Sequence, residues 1–275
     1  MAKNTLRKCV VLEKKVGQTP LEVLEAWKVR NPRYKEMPAS YAGRLDPMAS
    51  GKLLVLLGAE CKNKDAYTNL DKEYDIEVVL DFKTDTGDAL GIPEYHGKET
   101  KISNAELRAM LHTQLGTHTI PYPAYASKTV NGKPLFQYAL EGTLDTIDIP
   151  IHEETLYRIR SRGVSCVPKE TLETRILHFL SKAPRSDEPS KVLGADFRQD
   201  VIRVGWKTLF AAIHERSFYV LRLRVVCGSG TYMRSLAERI GEELGTTGFA
   251  LSIRRRKIGT FVPIGKLFGY WKKRY

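Results

Sequence analysis

An α+β fold, built on a mixed and mostly antiparallel sheet flanked by helices, is what this 275-residue sequence predicts. Three observations carry that prediction. Long segments alternate apolar and polar residues with the period of a half-buried strand. Helices are announced by capping signals, and the two kinds of element do not follow each other in the strand–helix–strand rhythm of a parallel sheet.

In chain order, Thr19-Pro20-Leu21-Glu22 forms a capping box with Pro at the first helical position, and Leu24 and Trp27 follow at helical spacing, predicting a helix of about eleven residues. The aliphatic run Leu53–Leu57 reads as a buried strand. In "EYDIEVVLDF", Tyr74, Ile76, Val78, Leu80 and Phe82 alternate with Glu73, Asp75, Glu77 and Asp81, so one strand is expected through Phe82. Ser103 and Glu106 make a second capping box, with Leu107, Met110, Leu111 and Leu115 on one face and Gly116 as the expected stop. "FYVLRLRVVC" repeats the strand pattern with Arg222 and Arg224 on its polar side, and a third helix is expected from Tyr232 to Leu244.

Residues 167–215 differ: one short amphipathic helix, then a Pro/Ser/Asp-rich stretch, which reads as a surface insertion. The chain closes on a short basic tail, 263–275, that ends in "YWKKRY". The whole reads as a single domain, 1–275.

Composition narrows the partners. Lys and Arg number 44 against 32 Asp and Glu, a net charge of +12 that favours a polyanion such as nucleic acid. No apolar run approaches the roughly 20 residues that span a bilayer, so no membrane partner is expected. The N-terminus lacks an apolar export signal, and the four cysteines are scattered without a CxxC pair, which suits a cytoplasmic protein with reduced thiols. Neither histidines nor cysteines fall at metal-ligand spacing, so no metal is expected.

Two stretches carry chemistry-bearing residues. In "YAGRLDPMASGKLLVLLG", Asp46 stands between Leu45 and Pro47 at the mouth of the buried run. On local grounds a carboxylate there caps a turn. The stiff loop made by Gly43 and Pro47, and the room left by Ala49-Ser50-Gly51, equally suit a carboxylate pre-positioned for nucleophilic or general-base work. In "CGSGTYMRSLAERIGEELG" a strand end passes through two glycines into a helix whose first turn carries Arg234. Taken alone, Arg234 and Glu238 read as an ordinary surface pair. Tyr74, inward on its strand, reads as core whose phenol needs a partner.

Together these stretches resemble the TruB family of pseudouridine synthases. "YAGRLDPMASGKLLVLLGAECK" is similar to its LDP signature, and "DKEYDIEVVLDFKTDTGDALG" to the segment after it. "TIPYPAYASKTVNGKPLFQYALEG", "GSGTYMRSLAERIGEEL" and "LSIRRRKIGTF" resemble later motifs in the family's order, over about residues 10–160 and 216–262. The resemblance implies isomerisation of a uridine to pseudouridine in RNA, with uridine 55 in the T-arm of tRNA the expected target, a monomeric enzyme and no cofactor. It assigns the nucleophile to Asp46, the arginine paired with it to Arg234, and the aromatic that stacks on the flipped base and assists removal of the C5 proton to Tyr74. Tyr232 and Ile253 then line the uracil pocket, and Tyr41 and Lys128 bind substrate. Extruding a base costs a few kcal/mol, which stacking and edge hydrogen bonds offset.

The chain departs from the family at three places. Tyr41 stands where many members have a His; it can stack but carries no proton at neutral pH. Lys14-Lys15 stands in place of Lys-Pro, and Ser229 in place of the Lys before GTYxR. The last dozen residues leave no room for the family's C-terminal PUA domain, so either the RNA grip is expected to be weaker or the 167–215 segment and the basic tail replace it. The rival readings are an RNA-binding folding chaperone with reduced catalysis, and a synthase acting on another RNA such as ribosomal RNA.

Overall fold

The computed structural model describes residues 6–97, 99–183, 198–265 and 268–275. The chain opens with β1 (Cys9–Lys14) and α1 (Pro20–Arg30), then passes through β2 (Ala39–Ala42), β3 (Ala49–Leu57), the short α2 (Lys64–Thr68) and β4 (Asp71–Leu80). A ribbon of β5 (Phe82–Thr84) and β6 (Pro93–Tyr95) precedes α3 (Asn104–Thr113) and β7 (Gly116–Pro121). A second ribbon, β8 (Thr129–Val130) with β9 (Lys133–Pro134), leads into α4 (Leu135–Glu141) and the long β10 (Ile151–Pro168). There follow α5 (Lys169–Leu180), α6 (Gln199–Ala212), β11 (Ser217–Cys227), α7 (Met233–Glu243), β12 (Gly248–Ile264) and β13 (Phe268–Arg274).

The main sheet runs β1–β3–β12–β4–β11–β10–β7, with β2 added to β3 and β13 to β12. Its pairings are antiparallel except that of β3 with β12, so the mixed and mostly antiparallel sheet expected from the alternation is what forms. On β4, Tyr74, Ile76, Val78 and Leu80 pack with Leu221, Leu223 and Val225 of β11 and with Leu236 and Ile240 of α7. The alternate residues face the other way and are paired: Glu73 with Lys257 and Arg158, Asp75 with Arg224, Glu77 with Arg175. The strand stops at Leu80 rather than Phe82, because Asp81 takes a left-handed φ of 72° and turns the chain. Its carboxylate accepts from the Arg216 guanidinium at 2.7 Å and the Thr246 hydroxyl at 2.8 Å.

Both capping boxes form, Thr19 with Glu22 on α1 and Ser103 with Glu106 on α3. α1 has the expected eleven residues. α3 ends before Gly116: Gln114 is its C-cap, and the next N–H, of Leu115, tightens onto the His112 carbonyl at 3.2 Å; Gly116 instead opens β7 opposite Leu156.

The described parts of the 167–215 segment, 167–183 and 198–215, carry core rather than forming a surface excursion. Leu172 and Ile176 of α5 and Ile202, Trp206 and Phe210 of α6 are buried against Val79, Phe249 and Leu251. The reason is a stripe at four-residue spacing, Ile202–Trp206–Phe210, that needs an apolar sheet face to cover. Most of the Pro/Ser/Asp-rich stretch, 184–197, lies outside the described residues.

Candidate functional site

Two buried cations, Arg255 and Lys14, clamp the loop between β2 and β3, and a third, Lys72, lies beside it. Arg255, 1% exposed, donates Nη2 to the Gly43 carbonyl at 3.0 Å, Nη1 to that of Arg44 at 3.2 Å and Nε to that of Lys52 at 2.8 Å. Lys14 donates Nζ to the carbonyls of Ala49 at 2.6 Å and Pro47 at 3.1 Å. Burial pushes the Lys14 ammonium down to about 8, against the attraction of Asp46. Lys72 is pushed down to about 8 as well, by burial, and donates to the Thr68 carbonyl. Gly51, at φ 105°, lets β3 meet β12: a Cβ there would lie 2.2 Å from the Arg255 carbonyl oxygen. The small-residue step thus admits a neighbouring backbone.

Asp46 projects from this loop with its side chain 46% exposed, and its Oδ2 lies 3.0 Å from Nε of Arg234, whose side chain is 6% exposed. The Nε–H is not aligned for a hydrogen bond, so the contact is Coulombic. Arg234 spends its other donors on main chain, Nη1 on the Thr86 carbonyl at 2.8 Å and Nη2 on that of Tyr125 at 3.3 Å. Burial works against its charge, yet Asp46, Asp88 and Glu238 hold the guanidinium above the ordinary arginine value.

The pair is therefore not the surface contact that local spacing suggests. Asp88 Oδ2 stands 3.9 Å from Arg234 Nε, and burial raises its carboxyl although Arg234 opposes the rise. Burial likewise pushes Glu238 up to about 7, with Arg234 opposing and Glu242 and Asp88 adding to it. The turn carrying Thr86 and Asp88 comes this close because residue 87 is glycine: a Cβ there would stand 2.9 Å from Glu238 Oε1 and 3.1 Å from the Arg234 Cβ.

Tyr74, Ile253, Leu45, Ala49 and Met233 share one apolar cluster beside the ion pair, and Tyr74 and Ile253 are each 8% exposed. Ile253 of β12 lies opposite both Ile76 and Ala49. Burial raises the Tyr74 phenol, while Arg255 beside it pulls the other way. The carboxylate thus stands open at the rim above apolar walls that are packed shut. A groove of about 520 Å³ opens elsewhere, among Lys52, Arg224, Arg254, Arg256 and Arg274, and does not include Asp46.

Tyr232 caps α7 two residues before Arg234, and burial raises its phenol. Its ring meets Tyr122 and His152 edge-on, those two stack at 4.1 Å, and Lys128 Nζ stands 5.4 Å from the Tyr122 ring centroid. Of the residues singled out from the sequence, Asp46, Arg234, Tyr74, Ile253 and Tyr232 converge, and Lys128 joins them through Tyr122. Tyr41 does not: on β2 opposite Val55, it packs against the α1 cluster of Leu24, Tyr34 and Leu53. Lys14, Asp88, Tyr125, Glu238 and Arg255 were not anticipated as part of the site. Among the described residues no group of three or more His, Cys, Asp or Glu side chains could hold a metal ion.

The model of the TruB family pseudouridylate synthase N-terminal domain matches residues 32–177, more than half of the chain. The chain belongs to the TruB family. Curated relatives named tRNA pseudouridine synthase B include that of Xanthomonas oryzae pv. oryzae, 29% identical over 261 residues covering 95% of this chain and 66% of the relative. That of Xanthomonas euvesicatoria pv. vesicatoria is 30% identical over 221 residues, covering 80% and 54%. The chain thus spans about half to two thirds of their length. Among solved structures, a crystal structure of a Cbf5-Nop10-Gar1 complex shares the fold, with a TM-score of 0.51 and 18% identity over 91% of this chain and 48% of that one. The TruB-family match covers Asp46, Tyr74 and Lys128; Arg234 and Ile253 lie beyond it, and the folded chain brings them back.

Proposed function

We propose that the chain converts a uridine of tRNA to pseudouridine, uridine 55 of the T-arm, with Asp46 as nucleophile. The observation that carries this reading is the half-exposed Asp46 carboxylate set 3.0 Å from a buried guanidinium, at the rim of a wall made by Tyr74 and Ile253. The names of the family and of its curated relatives support the reaction class.

The reaction rearranges bonds within one nucleotide. The N1–C1′ bond breaks, a C5–C1′ bond forms, the C5 proton leaves and N1 ends protonated, so no oxidant and no group donor enters the balance. A base stacked in an RNA loop is out of reach of a rim carboxylate, so it is first extruded and laid against Tyr74 and Ile253. Those walls are shut in the free protein and part to admit it. Asp46 attacks the extruded nucleotide; Arg234 maintains the carboxylate's charge and direction without giving up its own main-chain bonds. Lys128 and the Tyr122–His152 stack, which meets Tyr232 two residues from Arg234, are assigned to the RNA strand flanking that base.

Incubation with unmodified tRNA and mapping of pseudouridine at single-nucleotide resolution tests the reading. Product at uridine 55 with wild type, and none with Asp46→Asn, is the expected result. Tight tRNA binding with no product at any uridine would favour a folding chaperone.

A further inference from the structure

We propose that Arg198, contributed by the segment between β10 and β11, is a positioning residue for the Asp46–Arg234 pair, which it acts on through Asp85 and Tyr125. The inference rests on the reaction proposed above. Arg198 grips Asp85 with both guanidinium arms, Nη1 to Oδ2 at 2.7 Å and Nη2 to Oδ1 at 3.3 Å. Tyr125 donates its hydroxyl to the same Oδ2 at 2.9 Å, and the Arg198 guanidinium lies 5.0 Å from the centre of the Tyr125 ring. Asp85 Oδ1 also accepts the Ile92 N–H at 2.8 Å.

These contacts matter because of what the two loops do next. The main chain of Tyr125 accepts Arg234 Nη2, and that of Thr86, the residue after Asp85, accepts Arg234 Nη1. The two carbonyls that aim Arg234 thus come from two different loops, and the Asp85–Tyr125–Arg198 cluster ties those loops to each other. A planar fork that binds a carboxylate through two bonds and lies over an aromatic face fixes direction as well as distance, which an ammonium does not. The tie has a firm anchor. Arg198 immediately precedes α6, its backbone is held in the left-handed region at φ 54°, and the helix behind it is fixed by the buried Gln199, Ile202 and Trp206.

Arg198 is also 23% exposed at its side chain, so a direct contact with RNA phosphate is the competing role. The two roles separate kinetically. The experiment measures single-turnover rate and dissociation constant on an unmodified T-arm hairpin for wild type, Arg198→Met and Arg198→Lys, at low and at high salt. Hydrogen exchange of residues 84–92 and 122–128 is followed in the same three proteins without RNA. Expected for Arg198→Met is about a tenfold slower chemical step with affinity within twofold, a loss that does not change with salt, and faster exchange in both loops. Arg198→Lys should recover only part of the rate. Asp85→Asn added to Arg198→Met should cost little more, since the two act as a unit. An unchanged rate, or a loss confined to affinity and abolished by salt, overturns the positioning role. A wild-type protein inactive on every RNA, with the exchange result intact, would overturn the reaction beneath it instead.

Discussion

A half-exposed carboxylate held by a buried guanidinium separates binding from chemistry at single residues. Asp46→Asn keeps the shape of the loop that Arg255 and Lys14 clamp, so tRNA affinity should stay within a few fold while turnover is lost; residual turnover near wild type would refute the assignment. Arg234→Ala leaves Asp88 and Glu238 buried without their cation, and removing one partner of a buried pair typically costs about 3–5 kcal/mol. Its chemical step should slow more than its binding weakens, and chemical denaturation should show the lost stability. Glu238 gives a pH signature of its own. Burial raises its folded carboxyl to about 7, so between the unfolded value and 7 the native state holds the extra proton. Its contribution is therefore favourable in acid and lost as pH rises through 7. Glu238→Gln removes that penalty: at pH 8 it should be more stable than wild type, by up to about 3 kcal/mol at roughly 1.4 per pKa unit, with the advantage fading toward pH 5. Denaturant midpoints at the two pH values decide it, and equal midpoints at pH 8 would contradict the buried, ionised carboxylate.

α6 decides how the 167–215 segment is to be understood. Trp206 is fully buried, stacks on Phe210 at 5.7 Å and donates Nε1 to the Ala89 carbonyl at 3.3 Å. Trp206→Ala should cost about 3–5 kcal/mol, read as a lower unfolding midpoint, whereas a dispensable surface insertion would show almost no change. Deleting the whole segment would remove core, so point changes such as Arg198→Met are the informative ones. The alternation on β4, both capping boxes and the extent of α7 were legible because each is written in residues at most four apart. The Ile202–Trp206–Phe210 stripe was equally legible as spacing; the Pro/Ser/Asp-rich stretch before it drew the reading toward a loop. The ion pair could be inferred only through the family's motifs, since Asp46 and Arg234 are far apart in the chain. The clamps on their loops were out of reach altogether: Arg255 to Gly43, Arg234 to Thr86 and Arg198 to Asp85 each join residues more than a hundred positions apart, and the main-chain acceptors of the first two leave no mark on the sequence.

For the molecule as a whole, a net charge of +12 invites a polyanion, but the charge is not spread evenly in effect. On the sheet face turned away from Tyr74, arginines and lysines are largely matched by Glu73, Asp75, Glu77 and Glu13. Near the site the balance differs, because Lys14, Lys72 and Arg255 are buried and spend their donors on carbonyls, while Lys128 is exposed. Binding should therefore respond to salt and the chemical step should not. Exposed cations that displace counterions from phosphates lose affinity as salt rises, whereas the Asp46–Arg234 contact, sheltered on the arginine side, is screened far less. We expect the logarithm of the tRNA association constant to fall against the logarithm of salt with a slope steeper than about −3, as four to five phosphate contacts would give. The single-turnover rate at saturating protein should stay constant over the same range. A shallow slope would mean that the basic excess is not aimed at RNA, and a rate that collapses with salt would mean that the Asp46–Arg234 pair is open to solvent on both sides.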